Sequence, residues 1–321
     1  MDTLFESASI ALQAIWTSKL RSFMTVLGNI VAVTSIIAVV ALIQGLNASV
    51  KDAILNQAGA DSFSVQQFPI TTSDEDFDAV RYNPRITSAD ADAIRRYAKG
   101  ATAVMLQSQI TGQVNYRDRQ IDNATVHGVS AEFGGFSPLD AEHGRLMSAI
   151  EVDRSRPVVL IGWEIADRLF GGVDPLEKDL RVEGVRFRVV GVSKKRGTFL
   201  GQSQDNFVVI PLGQFQMLYG GRRQLSISVK PRGLEEITTA MDEATVALRI
   251  ARRLRPKEPN DFGMYTSDTF LDLYRQATSG IFAVLVGIVA LSLVVGGIVI
   301  MNIMLMVVSE RTREIGLRKA L

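Results

Sequence analysis

Two stretches of this chain contain no Asp, Glu, Lys or Arg: residues 22–50 and residues 276–309. Inside the first, residues 23–46 read FMTVLGNIVAVTSIIAVVALIQGL and show no polar face. A helix of that length is about 36 Å long, enough to cross a hydrocarbon core of about 30 Å. The second apolar run, residues 281–308, is longer and can tilt. Two transmembrane helices are therefore predicted, over 23–46 and 280–308, bracketing a large polar insert. A cleavable leader fits the first run poorly, because 22 residues precede it and no A-x-A site follows.

Between the runs the periodicity changes. Strand patterns at 63–67 and 102–109 flank a helical pattern at 89–98, with Thr87 or Ser88 as cap and Gly100 as stop. A second set has strands at 224–230 and 263–266 flanking a helix at 234–254. Both sets read β-α-β. The middle, about 111–222, is richer in strands: 157–161, 180–182, 185–192 and 207–210, with a helix at 163–170 closed by Gly171-Gly172. Glu183-Gly184 is a two-residue hairpin turn. The expected fold class is an α+β membrane protein. Its large extracytoplasmic domain, 47–279, has two βαβ halves and an inserted β-rich subdomain, with stalk helices at 49–58 and 268–278. Before the first span, Phe5, Leu12, Trp16 and Leu20 recur at near-helical spacing, which predicts an amphipathic cytoplasmic helix within 1–22.

Charge sharpens this picture locally rather than globally. The 321 residues hold 35 basic and 34 acidic groups, a net charge of +1, which removes the basic excess of a nucleic-acid binder. Lys19 and Arg21 precede the first run, and Arg311, Arg313, Arg318 and Lys319 follow the second. The opposite ends carry only Lys51 and Arg275, so both termini are expected in the cytoplasm. Zero cysteines exclude a disulfide scaffold and thiolate metal sites.

The search for chemistry is negative. No G-x-x-x-x-G-K-[ST], H-E-x-x-H or G-x-S-x-G occurs, so no catalytic, cofactor-binding or metal site is predicted and the chain is read as a non-enzyme. His127 and His143 are taken as ordinary surface or turn residues. Lys194-Lys195-Arg196 reads as a solvated hairpin tip, and the acidic run Asp74, Glu75, Asp76 and Asp78 as a solvated loop, with calcium as the sharper alternative. No ionisable group lies in either span, which argues against an ion path through them. Asn29, Gly296, Gly297 and Asn302 are helix-packing candidates.

The segment 309–321, SERTREIGLRKAL, carries the most specific pattern. It resembles the motif that follows the second span in permeases of ATP-binding-cassette transporters of the MacB/FtsX/LolCE kind. Lys19-Leu20-Arg21-Ser22 leading to Leu27-Gly28 resembles the same family's approach to its first span. The layout of short cytoplasmic helix, span, large outer domain, span and coupling segment is also similar. The resemblance implies a bacterial inner-membrane permease, homo- or heterodimeric, beneath which a separate ATP-binding subunit docks; ATP and Mg would sit on that subunit. It implies mechanotransmission, in which the spans relay motion to the outer domain and substrate is handled outside, and it admits a periplasmic adaptor and an outer-membrane duct. On that basis Glu310, Arg311, Arg313, Glu314, Gly316, Arg318 and Lys319 are ATPase-coupling candidates. The family pattern continues into two further spans, so the coupling segment, 309–321, is expected to be truncated here. The alternative reading is a two-span sensor with an outer ligand-binding domain.

Overall fold

The computed structural model describes residues 19–58, 61–70, 78–136, 140–199 and 201–320. The expected amphipathic helix before the first span lies almost wholly outside them. The chain forms two compact units. One comprises Met1–Ser49 and Leu273–Leu321, the other Val50–Asp272.

The first unit is made by two long helices. Helix α1 spans Lys19–Ala58 and helix α8 spans Ser267–Ala320. The stalk, span and cytoplasmic segment predicted as successive pieces form one unbroken 54-residue helix in α8. No Pro interrupts it, and backbone hydrogen bonding continues wherever nothing stops it. Both helices contain stretches long and apolar enough to cross a membrane, Val33–Lys51 and Ser267–Met306. Their large apolar side chains stand mostly exposed, Ile37, Leu42, Val284 and Leu291 among them. Within this unit the Tyr274 hydroxyl donates to Asn47 Oδ1 at 3.1 Å, joining the two helices.

The second unit is built on one ten-stranded sheet. Its first part uses β1 (Phe63–Gln66), α2 (Ser88–Tyr97), β2 (Ala101–Tyr116), β11 (Ser226–Pro231), α7 (Ile237–Ala251) and β12 (Gly263–Thr266). These six elements make a βαββαβ unit whose strands lie side by side as β12-β1-β11-β2, all antiparallel. This is the split βαβ arrangement. Helix α2 starts where the sequence says it should: Thr87 and Asp90 form a capping box, Asp90 N–H to Thr87 Oγ1 and Thr87 N–H to Asp90 Oδ2 at 2.8 Å. Helix α7 turns Ala240, Ala244, Ala247 and Leu248 inward. Small residues let it lie close to the sheet and to Ala91 and Ile94 of α2.

The second part contains β3 (Arg119–Val129), α3 (Phe133–Phe136), β4 (Ala141–Gly144), α4 (Ala149–Asp153), β5 (Val158–Ile161), α5 (Trp163–Phe170), β6 (Asp179–Val182), β7 (Val185–Ser193), β8 (Thr198–Phe199), β9 (Gln202–Ser203), β10 (Phe207–Pro211) and α6 (Leu212–Tyr219). The β-rich insert expected over 111–222 has no large sheet of its own. It shares β2 with the split βαβ unit and then closes on itself. Pairing runs β2 to β3, β3 to β10, β10 to β5, β5 to β7, β7 to β6, and β6 back to β2. Six strands thus complete a ring, and closure removes the unpaired edges an open insert would expose.

Alternation along each strand separates two cores. Val159, Ile161, Val208, Ile210, Phe187 and Val189 join one cluster with Val114, Leu180 and Val182. Val158, Leu160, Phe207, Val209 and Val190 join another with Met105 and Met147. Adjacent residues point to opposite faces, so strands apolar at every position read as buried on both. Glu183 and Gly184 both have positive φ, 49° and 82°, and pair Val182 with Val185 as a tight hairpin requires.

Gly128 of β3 lies against Phe215 of α6, and a Cβ there would land on the ring. Gly128→Ala is therefore expected to cost about 1–3 kcal/mol by overpacking. Urea unfolding followed by Trp163 fluorescence in a Trp16→Phe background would read this; an unchanged midpoint would show that α6 is free to move away.

Candidate functional site

The predicted coupling residues all lie on one element. Backbone helix continues through Glu310, Arg311, Arg313, Glu314, Gly316, Arg318 and Lys319 to Ala320. Two short side chains bond back onto it: Ser309 Oγ to Met306 O at 2.8 Å and Thr312 Oγ1 to Val308 O at 2.7 Å. Arg313, Gly316 and Lys319 are exposed, and so are the apolar Ile315 and Leu317.

Gly316 carries a specific physical question. A helical glycine costs about 1 kcal/mol relative to alanine. Here a Cβ would meet nothing within 4 Å, so the single chain does not need the glycine. The same holds for Gly296 and Gly297 of α8. Asn302 is exposed on the same helix, and Asn29 lies in α1. Gly296 and Gly297 leave room for a second backbone to approach.

The second unit holds a polar cluster that no sequence pattern announced. Arg252, directly after α7, forks onto Asp90 of α2, with Nε to Oδ1 at 3.0 Å and Nη2 to Oδ2 at 2.9 Å. Its Nη1 reaches Asp261 Oδ1 at 3.0 Å. Asp90 and Arg252 side chains are only 7% and 8% exposed. Burial by itself raises the Asp90 pKa. The Arg252 and Thr87 hydrogen bonds outweigh that and hold it below the ordinary carboxylate value. This cluster ties the two helices of the split βαβ unit together, and 162 residues of sequence separate its two halves.

A second polar knot lies in the barrel part. Arg145 grips Glu151 with two 2.7 Å hydrogen bonds; Ser148 Oγ caps α4 by accepting from the Glu151 N–H at 3.3 Å, and the Ser148 N–H donates to the same carboxylate at 2.9 Å. These bonds, Arg145 first, bring the Glu151 pKa down to about 2.

The basic run 194–196 is not a hairpin tip. It sits at the base of the small β8-β9 hairpin, because Asp205 accepts from the Arg196 and Gly197 amides at 2.8 Å each and draws the chain inward. Lys195 Nζ lies 3.8 Å above the Trp163 ring. His127 is not at the surface either. It is partly buried in β3, edge-on to Phe207, and burial together with the nearby Arg196 charge pushes its pKa down to about 4. His143 is exposed in β4. Of the acidic run, Asp74, Glu75 and Asp76 lie outside the described residues, and Asp78 pairs with Arg81 at 3.0 Å. Among the described residues, no three His, Cys, Asp or Glu side chains gather closely enough to hold a metal ion.

The second unit is thus a split βαβ unit that shares one strand with a closed six-stranded barrel, flanked in sequence by two long apolar helices. Residues 22–247 match the family described as the MacB-like periplasmic core domain, and the chain belongs to that family. It is 33% identical over 314 residues to a protein named macrolide export ATP-binding/permease protein MacB from Chlorobaculum tepidum. That match covers 97% of this chain and 48% of the relative. It is 31% identical to the protein of the same name from Neisseria gonorrhoeae, covering 100% of this chain and 48% of the relative. The chain thus spans about half the length of the curated relatives it matches. The fold is similar to the periplasmic region of MacB from Actinobacillus actinomycetemcomitans, with TM-score 0.55, 20% identity, and coverage of 70% of this chain and 98% of that one. It is also similar to the extracellular domain of the noncanonic ABC-type transporter YknZ from Gram-positive bacteria, with TM-score 0.51, 20% identity, and coverage of 64% and 100%.

Two stability experiments follow. Arg252→Met leaves Asp90 buried without its counter-charge and is expected to destabilise the second unit by about 3–5 kcal/mol, with Asp90→Asn recovering part of the loss in the double variant; urea midpoints measure both. Stability should also fall with pH in two windows. His127 binds a proton near 6.5 when unfolded and near 4 when folded, so its share is present above 6.5 and lost as pH falls toward 4. Glu151 adds a second loss, from about 4.5 down to about 2. Thermal melts across pH should lose the upper slope in His127→Phe and the lower one in Glu151→Gln.

Proposed function

We propose that this chain acts as the permease subunit of a MacB-like ATP-binding-cassette transporter in a bacterial inner membrane. Helices α1 and α8 cross the bilayer at about 23–46 and 280–308. The termini face the cytoplasm and the unit between them faces the periplasm. The orientation follows from six basic residues at one pair of ends against two at the other. The chain binds no nucleotide itself, lacking a phosphate-cradling loop; ATP and Mg belong to an ATP-binding subunit that docks beneath 309–321. Two permease chains pair in the membrane, and an adaptor and outer-membrane duct are natural further partners.

One observation carries the mechanism. Helix α8 begins at Ser267, the residue after β12 ends at Thr266, and continues unbroken to Ala320. Thr266 and Thr269 exchange hydrogen bonds at this junction, Thr266 N–H to Thr269 Oγ1 and Thr269 N–H to Thr266 Oγ1, both at 3.2 Å. A displacement imposed on Glu310, Arg311, Arg313, Glu314, Arg318 or Lys319 by a closing ATPase pair therefore has a helical rod leading to a strand of the outer sheet. Gly316 supports the docking role, because its missing side chain is unneeded within the chain and gives a partner close access. The uncharged spans offer no stepping stones for an ion, so substrate is handled by the outer unit for export or extraction.

Exchanging the charges with Arg313→Glu and Glu314→Arg together is expected to reduce permease-dependent stimulation of the partner ATPase about tenfold or more, as loss of an interfacial charge pair would. The outer unit's melting temperature should not change. ATPase stimulation equal to that of the parent chain would overturn the coupling role.

A further inference from the structure

Helix α7 is amphipathic in a way that its own domain leaves half used. Its inward face is Ala240, Ala244, Ala247 and Leu248. On the other side Thr239, Asp242, Val246 and Ile250 recur at three- and four-residue steps and form one exposed stripe, and Arg253 stands exposed in the turn just past the helix end. Val246 and Ile250 are each 56% exposed, high for β-branched aliphatics placed four residues apart at the centre of a helix. With Arg249, Arg253, Leu254 and Arg255 they line a shallow groove of about 340 Å³.

The charges along this stripe are divided. Asp242 lies toward the N-terminal half and Arg253 just beyond the C-terminal end. Among the described residues neither side chain has a hydrogen-bond or ion-pair partner. Arg249 differs: it is committed to its own loop through Glu258 O at 3.0 Å, Asn260 Oδ1 at 2.7 Å and Arg255 O at 2.6 Å. A stripe with acid at one end, aliphatics in the middle and a base at the other is complementary to itself when reversed. If a two-fold axis crosses the helix at Val246, each Val246 meets its counterpart. In an antiparallel pair, contacting positions have nearly constant summed numbers, so Asp242 faces Ile250 at the C-terminal end of the second copy's helix, beside the turn that carries Arg253, and the reciprocal pair forms on the other side. A parallel pair would instead oppose like charges.

We infer that the outer units of two copies of this chain associate through the exposed faces of helix α7, packed antiparallel about Val246. This rests on the dimeric permease reading above. One helix face buries far less than the roughly 1,200 Å² of a stable free-standing interface. The contact therefore forms only between chains already held together, where tethering raises the effective concentration to about the millimolar range. It is a reversible contact, suited to outer units that part and rejoin as the ATPase cycles.

The 321 residues contain no cysteine, so between two of these chains a single introduced thiol can bridge only to its copy, and the two tags identify that product. Two differently tagged copies carrying Val246→Cys are expressed in membranes with the partner ATPase and exposed to mild oxidant, with and without ATP. A disulfide dimer is expected for Val246→Cys in at least one nucleotide state. None is expected for Val173→Cys, which is similarly exposed at 52% in the barrel part. Adding Asp242→Arg should lower the yield about threefold, the scale of an exposed ion pair, and further adding Arg253→Asp should restore it. Co-isolation of the two tags is read in parallel. Tags that co-isolate without a Val246 cross-link, in both nucleotide states, overturn the helix pairing and leave the dimer standing. Tags that fail to co-isolate overturn the dimer reading as well. Cross-linking insensitive to the charge variants would overturn the antiparallel register.

Discussion

Strand β2 is the constraint on which the second unit, Val50–Asp272, depends. Its sixteen residues contribute Val104 and Leu106 to the core under the two helices, Met105 to the core between barrel and α4, and Val114 to the barrel interior. One edge pairs with β3 for most of its length. The other edge pairs first with β11 and then with β6. A register irregularity between Gly112 and Val114 marks the change. Such a bulge increases twist and turns the strand, which lets one strand serve an open sheet and then a closed ring. The barrel is thus held by backbone hydrogen bonds to the split βαβ unit rather than by a flexible tether.

That continuity bears on function. The Asp90–Arg252–Asp261 cluster fixes α2, the end of α7 and the segment leading to β12 against each other. Strand β12 passes directly into α8. A pull on α8 in the proposed mechanism would therefore reach a part of the protein that resists local deformation, and the outer unit would move as a body. Buried ion pairs are weak contributors to net stability, but they penalise alternative arrangements in which either charge is left unpaired.

Local signals in the sequence were legible where physics is local. The capping box at Thr87 needs residues three apart, the Glu183-Gly184 turn needs two neighbours with positive φ, and α5 ends at Gly171 in the left-handed conformation. The helix at 89–98 was expected within a residue of Ser88–Tyr97. Strand 102–109 was read at half its length. Residues 110–116, ITGQVNY, alternate weakly and contain a glycine, and only pairing with β3 and β6 keeps them extended. The neighbours of the partly buried His127 and the exposed Lys195 are illegible for a related reason: Phe207, Arg196 and Trp163 come from other segments of the chain.

Legible along the chain were the two uncharged runs, the charge asymmetry at their ends, the helical and extended periods between them, and the charged motif at 309–321 with its family resemblance. Each of these depends on neighbours within a few turns or on simple counts along the chain. Tertiary structure alone decided that the insert closes into a six-stranded ring on a strand borrowed from its host. It alone joined Asp90 to Arg252 and left Val246 and Ile250 of α7 uncovered. Those outcomes depend on which surfaces meet after more than a hundred intervening residues have folded, and a one-dimensional pattern holds no record of that meeting.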